Sequence, residues 1–239
     1  MLEFLSRSLQ QRLEPTVLFN AITALYVAIL VLVPSVASKF IALGQVNISG
    51  ATLFFPITYI FNDILTEVYG YSRSRQIIWL GFAAQVLTAF AYWLVGIMPA
   101  APFWHNQTAY DTILGIAPRI TLASLMAYIM GEFVNSVILS RLKFAQGGQS
   151  GIAQASRFVL STIAGEAVDS IVFLGIAFYG TMAFKDLVET ALTIYVAKVL
   201  YEIVALPVSM RLAQYLKQVE HVDQIDNPST TNYSPFNLH

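Results

Sequence analysis

The sequence predicts an all-α integral membrane protein, a bundle of six transmembrane helices with both termini in the cytoplasm. Of its 239 residues, 56% are hydrophobic and only 11% are charged, whereas a soluble domain carries about 25% charged residues. Apolar stretches of about 20 residues recur along the chain, and that length is needed for a helix to cross a hydrocarbon core of roughly 30 Å. These two observations together predict a multi-pass bundle.

Six candidate spans follow a short N-terminal segment, residues 1–14, which is too polar for a signal-peptide core. The first span is therefore expected to be an uncleaved anchor. Pro56 and a polar cluster interrupt the second span, which favours a kinked or broken helix lining a cavity. The spans form a transport domain over 15–217, and a tail rich in Asn, Ser, Thr and Pro, 218–239, is predicted to be disordered. The six spans are 15–36, 50–69, 75–98, 119–139, 158–179 and 188–212.

The positions of the thirteen Lys and Arg residues predict the orientation of the bundle. Nine of them lie before the first span, after the second, after the fourth or after the sixth. Three lie on the opposite side, and Lys198 lies within the membrane. Because cytoplasmic loops carry the excess of positive charge, the N-terminal segment and the tail are both predicted to be cytoplasmic.

Seven ionisable side chains lie inside these apolar stretches. A charged group at the centre of a bilayer costs about 2.5–3.5 kcal/mol even on lenient scales, and such residues usually mark a substrate or ion path. The sequence therefore predicts a membrane transporter. The seven are Asp63, Glu67, Glu132, Glu166, Asp169, Lys198 and Glu202.

Counting about 1.5 Å per helical residue brings polar groups from four helices to one slab near the midplane. Secondary transporters hold their substrates at this depth, between helices. Asn62 and Asn135 add amides to the same slab. Lys198 can pair with Glu202 on its own helix or with Asp169 across the cavity. Six acids against one cation favour a cationic or donor-rich ligand over an anion.

Simpler interpretations stay open for some of these residues. Glu67 is close enough to the end of its span to reach water, and Glu202 could do no more than neutralise Lys198. No His lies in any span and no Gly-Lys-Ser/Thr phosphate loop is present, so we expect neither an enzyme nor an ATPase, and no cofactor or metal site. A weaker alternative is an intramembrane hydrolase that uses Asp63 and Asp169 as a dyad. The energy source, proton coupling or passive equilibration, is left open. Without a basic field, no nucleic-acid partner is expected.

Segment 55–71, FPITYIFNDILTEVYGY, is followed by Arg73 and Arg75. It resembles the signature of the queuosine precursor transporter family. The resemblance extends over about 39–212, with matches at 101–104 (APFW), 118–120 (PRI), 131–135 (GEFVN) and 177–180 (AFYG). Two positions depart from it: Glu132, where many members have Gln, and Glu166, where Gln or Asn is usual.

This resemblance implies uptake of 7-cyano-7-deazaguanine or 7-aminomethyl-7-deazaguanine across the inner membrane. A guanine-like edge offers adjacent N–H donors, which carboxylates and amide oxygens accept. The other expected partner is the lipid bilayer, and a homodimer is compatible with this picture. The alternative is the substrate-binding subunit of an energy-coupling-factor vitamin importer, because Ala24-x-x-x-Ala28 resembles the docking surface of such subunits. The expected substrate-binding residues are Asn62, Asp63, Glu67, Arg119, Glu132, Asn135, Glu166, Asp169, Lys198 and Glu202.

Overall fold

The computed structural model describes residues 17–43, 46–115, 118–180 and 184–237, and within them the regular secondary structure is helical apart from one short hairpin. The N-terminal segment 1–14 lies outside the described residues. The hairpin is antiparallel, with Phe40 opposite Ser49. The helices are α1 (Val17–Ala37), α2 (Ala51–Tyr69), α3 (Tyr71–Gly96), α4 (Gln107–Leu114), α5 (Pro118–Ala145), α6 (Ile152–Phe178) and α7 (Phe184–Glu220), and the strands are β1 (Phe40–Leu43) and β2 (Val46–Ser49).

Five stretches of the chain are long and apolar enough to cross a membrane. Four of them lie within single helices, and the other joins α4 to α5 across residues 116–117, which lie outside the described residues. Helix α2 coincides with the predicted second span but is not among the five. The helical, multi-pass architecture is thus confirmed, while the count of six spans and the cytoplasmic termini stay predictions. The five stretches are Leu18–Ala37, Tyr71–Gly96, Gln107–Ala145, Ile152–Phe178 and Ala191–Glu220.

Helix α2 lies at the centre of the bundle. It contacts α1, α3, α5 and α7, while α1 packs on α3, α3 on α5, α5 on α6 and α6 on α7. Eleven of its nineteen residues are buried. The helix is continuous through Pro56, so the second span is not broken. A helix enclosed by others can carry polar side chains that would be costly against lipid.

Two glycines let α5 and α6 approach closely beside α2. A Cβ atom built on Gly165 would lie 2.8 Å from the Asn135 Cβ and 3.0 Å from the Gly131 carbonyl oxygen. A Cβ atom on Gly131 would lie 2.5 Å from the Tyr59 hydroxyl oxygen on α2. Small residues at such crossings allow helix backbones to pack directly against each other in membranes. The close approach brings the polar residues of α5 and α6 up to those of α2.

The outer faces of the helices are apolar and exposed. On α3 the exposed side chains include Leu87, Phe90 and Trp93, and on α7 Val204 is 80% exposed. Exposed apolar surface of this extent is unusual on a soluble monomer. It fits helices whose outer faces contact lipid.

The C-terminal tail is ordered against the bundle, so the prediction of a disordered tail is corrected for residues 221–237. Asp226 accepts hydrogen bonds from the Tyr71 backbone N–H and the Ser140 hydroxyl, each at 2.8 Å. Arg75 donates to the carbonyl oxygen of Asn232 at 2.8 Å, and Trp79 Nε1 donates to that of Pro235 at 2.8 Å. The composition suggested disorder, but donors at the helix ends provide partners for the acceptors of the tail.

The tail crosses the turn between α2 and α3 at Gly70. Gly70 has φ +82, a left-handed conformation that disfavours side chains. A Cβ atom there would also lie 2.6 Å from the Gln224 side chain. Gly70 therefore allows both the sharp turn and the close contact with the tail.

Candidate substrate site

A network of hydrogen bonds joins α2 to α3 and α5 inside the bundle. The Asn62 amide nitrogen donates to Glu132 Oε2 at 2.5 Å and to the Ser136 hydroxyl at 2.9 Å. The Ser74 hydroxyl donates to Asn62 Oδ1 at 2.7 Å, and Thr66 donates to Ser74 at 2.8 Å. All five residues are buried. The structure therefore brings together Asn62 and Glu132, as expected from their predicted depth.

Asp63 connects α2 to two other helices. Its Oδ1 atom accepts a hydrogen bond from the Asn135 amide at 2.6 Å, and its Oδ2 atom accepts one from the Thr162 hydroxyl at 3.5 Å. Asp63 and Asn135 are both fully buried. This carboxylate has neutral hydrogen-bond donors around it and no ion-pair partner among the described residues.

Lys198 pairs with acids on the neighbouring helix. Its ammonium group lies 2.6 Å from Asp169 Oδ2 and 2.8 Å from Glu166 Oε2. It also lies 4.5 Å from the centroid of the Phe55 ring on α2. Of the two predicted partners, the cross-helix one, Asp169, is the one observed, and Glu202 forms no ion pair with Lys198 in the described chain.

Several buried polar atoms near these groups have no hydrogen-bond partner within the described residues. Both carboxylate oxygens of Glu202 are among them, with Glu132 Oε1, Asn135 Oδ1 and the Tyr59 hydroxyl. Buried polar atoms in proteins are nearly always hydrogen-bonded, to protein or to ordered water, and an unsatisfied one costs about 1–3 kcal/mol. With the exception of the hydroxyl, these atoms are acceptors, so the region is complementary to a ligand or water that donates.

Glu67 belongs to a second polar group at one end of the bundle. Arg157 on α6 donates to both of its oxygens, at 2.6 and 2.8 Å, and the Lys217 ammonium lies 2.5 Å from Oε1. Glu67 and Arg157 are fully buried. The alternative that Glu67 reaches water is therefore wrong, because two cations from α6 and α7 enclose it.

The tail completes this group through Asp223. Asp223 Oδ1 lies 2.5 Å from the Lys143 ammonium and 3.0 Å from that of Lys217. Burial raises the pKa of Asp223, but the hydrogen bonds and charges of Lys143 and Lys217 outweigh it and hold the pKa below its usual value. We refer to Glu67, Lys143, Arg157, Lys217 and Asp223 as the Glu67 cluster.

Arg119 lies apart from the other predicted site residues. Its guanidinium donates to the carbonyl oxygens of Ile176 at 2.5 Å and Tyr179 at 2.6 Å. These are carbonyls at the C-terminal end of α6, where helix oxygens lack partners and basic groups stabilise the helix dipole. Along α5, Arg119 is about 20 Å from Glu132. The structure does not bring Arg119 together with the buried acids.

Sequence reasoning missed several members of the two polar groups. Arg157, Lys217, Phe55 and Tyr59 are not among the residues that the sequence predicts for the site. The positions of Glu67, Arg157 and Lys217 in the sequence could have indicated the contact, because all three lie near span ends that are predicted to be on the same side of the membrane. Within the described residues, no group of three or more His, Asp or Glu has the arrangement of a metal site.

Comparison with known proteins identifies the family. Residues 49–212 match the family described as "Putative vitamin uptake transporter", and this match covers more than half of the chain. The chain belongs to this family. It is accordingly a multi-pass protein of the cell (inner) membrane and a member of a transporter family.

Curated relatives of this vitamin uptake transporter family member are bacterial. The chain is 26% identical to a "Probable queuosine precursor transporter" of Bacillus subtilis over 67% of each protein. It is 27% identical to the "Queuosine precursor transporter" of Escherichia coli, over 63% of this chain and 65% of that protein. A "Probable queuosine precursor transporter" of Haemophilus influenzae is 25% identical over 59% and 58%. No solved structure matches the chain significantly.

Proposed function

We propose that this protein imports queuosine precursors, 7-cyano-7-deazaguanine or 7-aminomethyl-7-deazaguanine, across the inner membrane. The relatives named queuosine precursor transporter support this class of substrate. The observation that carries the proposal is the set of buried acceptor atoms without partners in the described chain, on Glu132, Asn135 and Glu202. They lie on α5 and α7, beside the central helix α2.

The chemistry of the substrate fits this set. The guanine-like edge of a deazaguanine presents an N1–H and an exocyclic amine side by side, and a carboxylate with two open oxygens can accept both. Glu202 has two such oxygens, while Glu132 and Asn135 have one each. An anionic solute would instead meet carboxylate and amide oxygens that cannot donate to it. We therefore assign the guanine edge to this region and keep Asn62, Asp63, Glu166, Asp169 and Lys198 in the proposed site.

The proposed path runs from this site to the Glu67 cluster. The cluster joins one end of α2, α5, α6 and α7 to the tail, at the side that the distribution of Lys and Arg predicts to be cytoplasmic. We propose six spans with α2 as the central one, because a helix that contacts the apolar helices α1, α3, α5 and α7 inside the bundle lies at the same depth as they do. Substrate release then requires the ion pairs of the cluster to separate. A homodimer stays a prediction.

Binding is tested by thermal unfolding of the purified protein in detergent. A ligand that binds the folded protein stabilises it by RT ln(1 + [L]/Kd). We expect both deazaguanines to raise the melting temperature. Guanine, biotin, thiamine and riboflavin are measured in the same way as comparison ligands. Glu202→Gln should weaken the shift. Glu189→Gln is the matched control on the same helix, since the Glu189 side chain is 66% exposed. The absence of a shift with either deazaguanine would refute the proposed substrate.

A second candidate function is a substrate-binding subunit that needs an external ATPase pair. The observation in its favour is the pair Ala24 and Ala28 on α1, which are both exposed and one turn apart, as expected of a docking surface for a partner helix. Uptake by this chain alone in reconstituted vesicles distinguishes the two. Transport without ATP or partners supports the carrier, whereas binding without transport supports the subunit.

A further inference from the structure

We infer that the pocket holding the Lys198 ammonium is a binding site for primary alkylammonium ligands, and that such a ligand displaces Lys198 from it. We call Glu166, Asp169 and Phe55 the ammonium cage. The inference rests on the proposed function for the identity of the natural ligand, since 7-aminomethyl-7-deazaguanine carries a primary ammonium group. The existence of the cage can be tested without any deazaguanine.

The cage combines the two features that recognise a primary ammonium ion. The Lys198 nitrogen lies 2.6 Å from Asp169 and 2.8 Å from Glu166, distances typical of charge-assisted hydrogen bonds. It also lies 4.5 Å from the Phe55 ring centroid, within the range in which a cation is attracted to an aromatic face. The side chain of Glu166 is 2% exposed and that of Asp169 is 6% exposed. The bound ammonium is supplied by the protein itself, so the cage is already formed around this ion.

A second position for the Lys198 ammonium exists one turn along α7. Glu202 is four residues from Lys198, so the two side chains share a helix face. Glu202 is 1% exposed, and neither of its oxygens has a hydrogen-bond partner within the described chain. It is close enough to Asp63 and Glu166 for their charges to interact. Glu202 can therefore receive Lys198 when a ligand occupies the cage.

This exchange gives each of the three carboxylates a cationic neighbour. With Lys198 in the cage, Glu202 has no cation within ion-pair distance among the described residues. When a ligand ammonium takes the cage and Lys198 moves to Glu202, the same three carboxylates hold two cations. Buried charges are stabilised by pairing, so the cationic ligand improves the charge balance. The neutral cyano form supplies no cation and leaves Lys198 in the cage.

The cage is tested directly by chemical rescue. Lys198→Ala removes the ammonium and leaves both carboxylates, and we expect a lower melting temperature than in the unsubstituted protein. n-Propylammonium chloride replaces the missing part of the side chain and should raise the melting temperature of Lys198→Ala saturably. Tetramethylammonium chloride and sodium chloride at equal ionic strength should not, because neither provides N–H donors. The double variant Lys198→Ala/Asp169→Asn should lose the response. No saturable stabilisation of Lys198→Ala by n-propylammonium overturns the inference.

A second measurement does not depend on folding of the Lys198 variant. Phe55→Leu removes the aromatic face of the cage, and Phe54→Leu is the matched control next to it in the sequence. We compare the affinity for 7-aminomethyl-7-deazaguanine with that for 7-cyano-7-deazaguanine. We expect Phe55→Leu to lower the ratio of the first affinity to the second roughly threefold to thirtyfold, which corresponds to the usual strength of a cation–π interaction. An unchanged ratio overturns the inference. If the unsubstituted protein binds neither deazaguanine, the proposed function fails, while n-propylammonium rescue still decides whether the cage exists.

Discussion

At the scale of residues, four of the buried carboxylates fall into three environments. Glu67 is held by two cations, whereas Glu166 and Asp169 share the single ammonium of Lys198. Asp63 has only neutral donors, the Asn135 amide and the Thr162 hydroxyl. These environments lead to different consequences on substitution.

Asp63→Asn and Asp169→Asn are each expected to strongly reduce uptake while the protein still inserts and folds. Each substitution replaces an acceptor-only carboxylate near the predicted midplane, and loss of a charge-assisted hydrogen bond costs about 1.5–3 kcal/mol. Uptake of a labelled deazaguanine in vesicles measures the effect, and protein yield and melting temperature control for folding. Near-normal transport in both variants would make these residues structural.

Lys198→Met is expected to be more damaging than Lys198→Met combined with Asp169→Asn. The single substitution leaves two carboxylates in the bundle without their cation, and breaking a buried pair costs about 3–5 kcal/mol, more than replacing both members. Melting temperatures of the single and double variants measure the difference. The double variant Lys198→Met/Glu202→Gln is the comparison for Lys198→Met/Asp169→Asn, because Glu202 forms no ion pair with Lys198. No recovery in the Asp169 double variant would contradict this pairing.

At the scale of elements, the polar site depends on the close approach of α5 and α6. Gly131 and Gly165 face each other across this contact, and Tyr59 of α2 packs on both. Since neither glycine has a Cβ atom, α5 and α6 pack closely. This brings residues 131–135 and the polar residues after Gly165 up to the central helix α2.

Gly165→Ala is expected to destabilise the protein by about 1–3 kcal/mol, the usual cost of overpacking a dense core. Its Cβ would lie 2.8 Å from that of Asn135 and 3.0 Å from the Gly131 carbonyl oxygen, so α5 and α6 must separate. Gly175→Ala on the same helix is the control, because no atom lies within 4 Å of its Cβ. There alanine should be neutral or stabilise the helix by up to about 1 kcal/mol. Equal melting temperatures of the two variants would refute the packing argument.

At the scale of the whole molecule, the tail closes one end of the bundle. Asp223 contacts Lys143 and Lys217, and Asp226 accepts from the turn after α2 and from α5. A cavity of about 530 Å³ lies between the tail and the start of α3, lined mostly by amide and hydroxyl side chains. The tail is thus part of the folded structure rather than a linker.

The contribution of Asp223 to stability should disappear on acidification. Its folded pKa lies below the ordinary value, so the stabilisation is present above the unfolded pKa, about 3.9, and is lost as the pH falls through the folded pKa. The difference in melting temperature between the unsubstituted protein and Asp223→Asn should be constant from neutral pH to about 4 and shrink below. Because the side chain is 44% exposed, the effect should stay under about 1 kcal/mol. A difference that persists unchanged well below the folded pKa would contradict the ionic contact.

The sequence by itself determined where the long apolar helices lie, because apolar length and the cost of charge in lipid act locally along the chain. The predicted spans 50–69 and 158–179 match α2 and α6 closely, except that α6 begins earlier than predicted, at Ile152. It also determined that Asp63, Glu132 and Glu202 are buried, since they have no other reason to lie in apolar stretches, but it did not show the burial of Arg157 and Lys143.

Only the tertiary structure decided how these residues pair and where the tail lies. Lys198 has acids at i+4 on its own helix and across the bundle, and spacing alone cannot choose between them; the packing of α6 on α7 places Asp169 and Glu166 within ion-pair distance. Likewise, Arg119 matches the family pattern but caps α6, and the polar tail is ordered by donors that only the assembled helix ends present. Pairing depends on distances between helices, and these are set by contacts such as Gly131 on Gly165 that are far apart in the sequence.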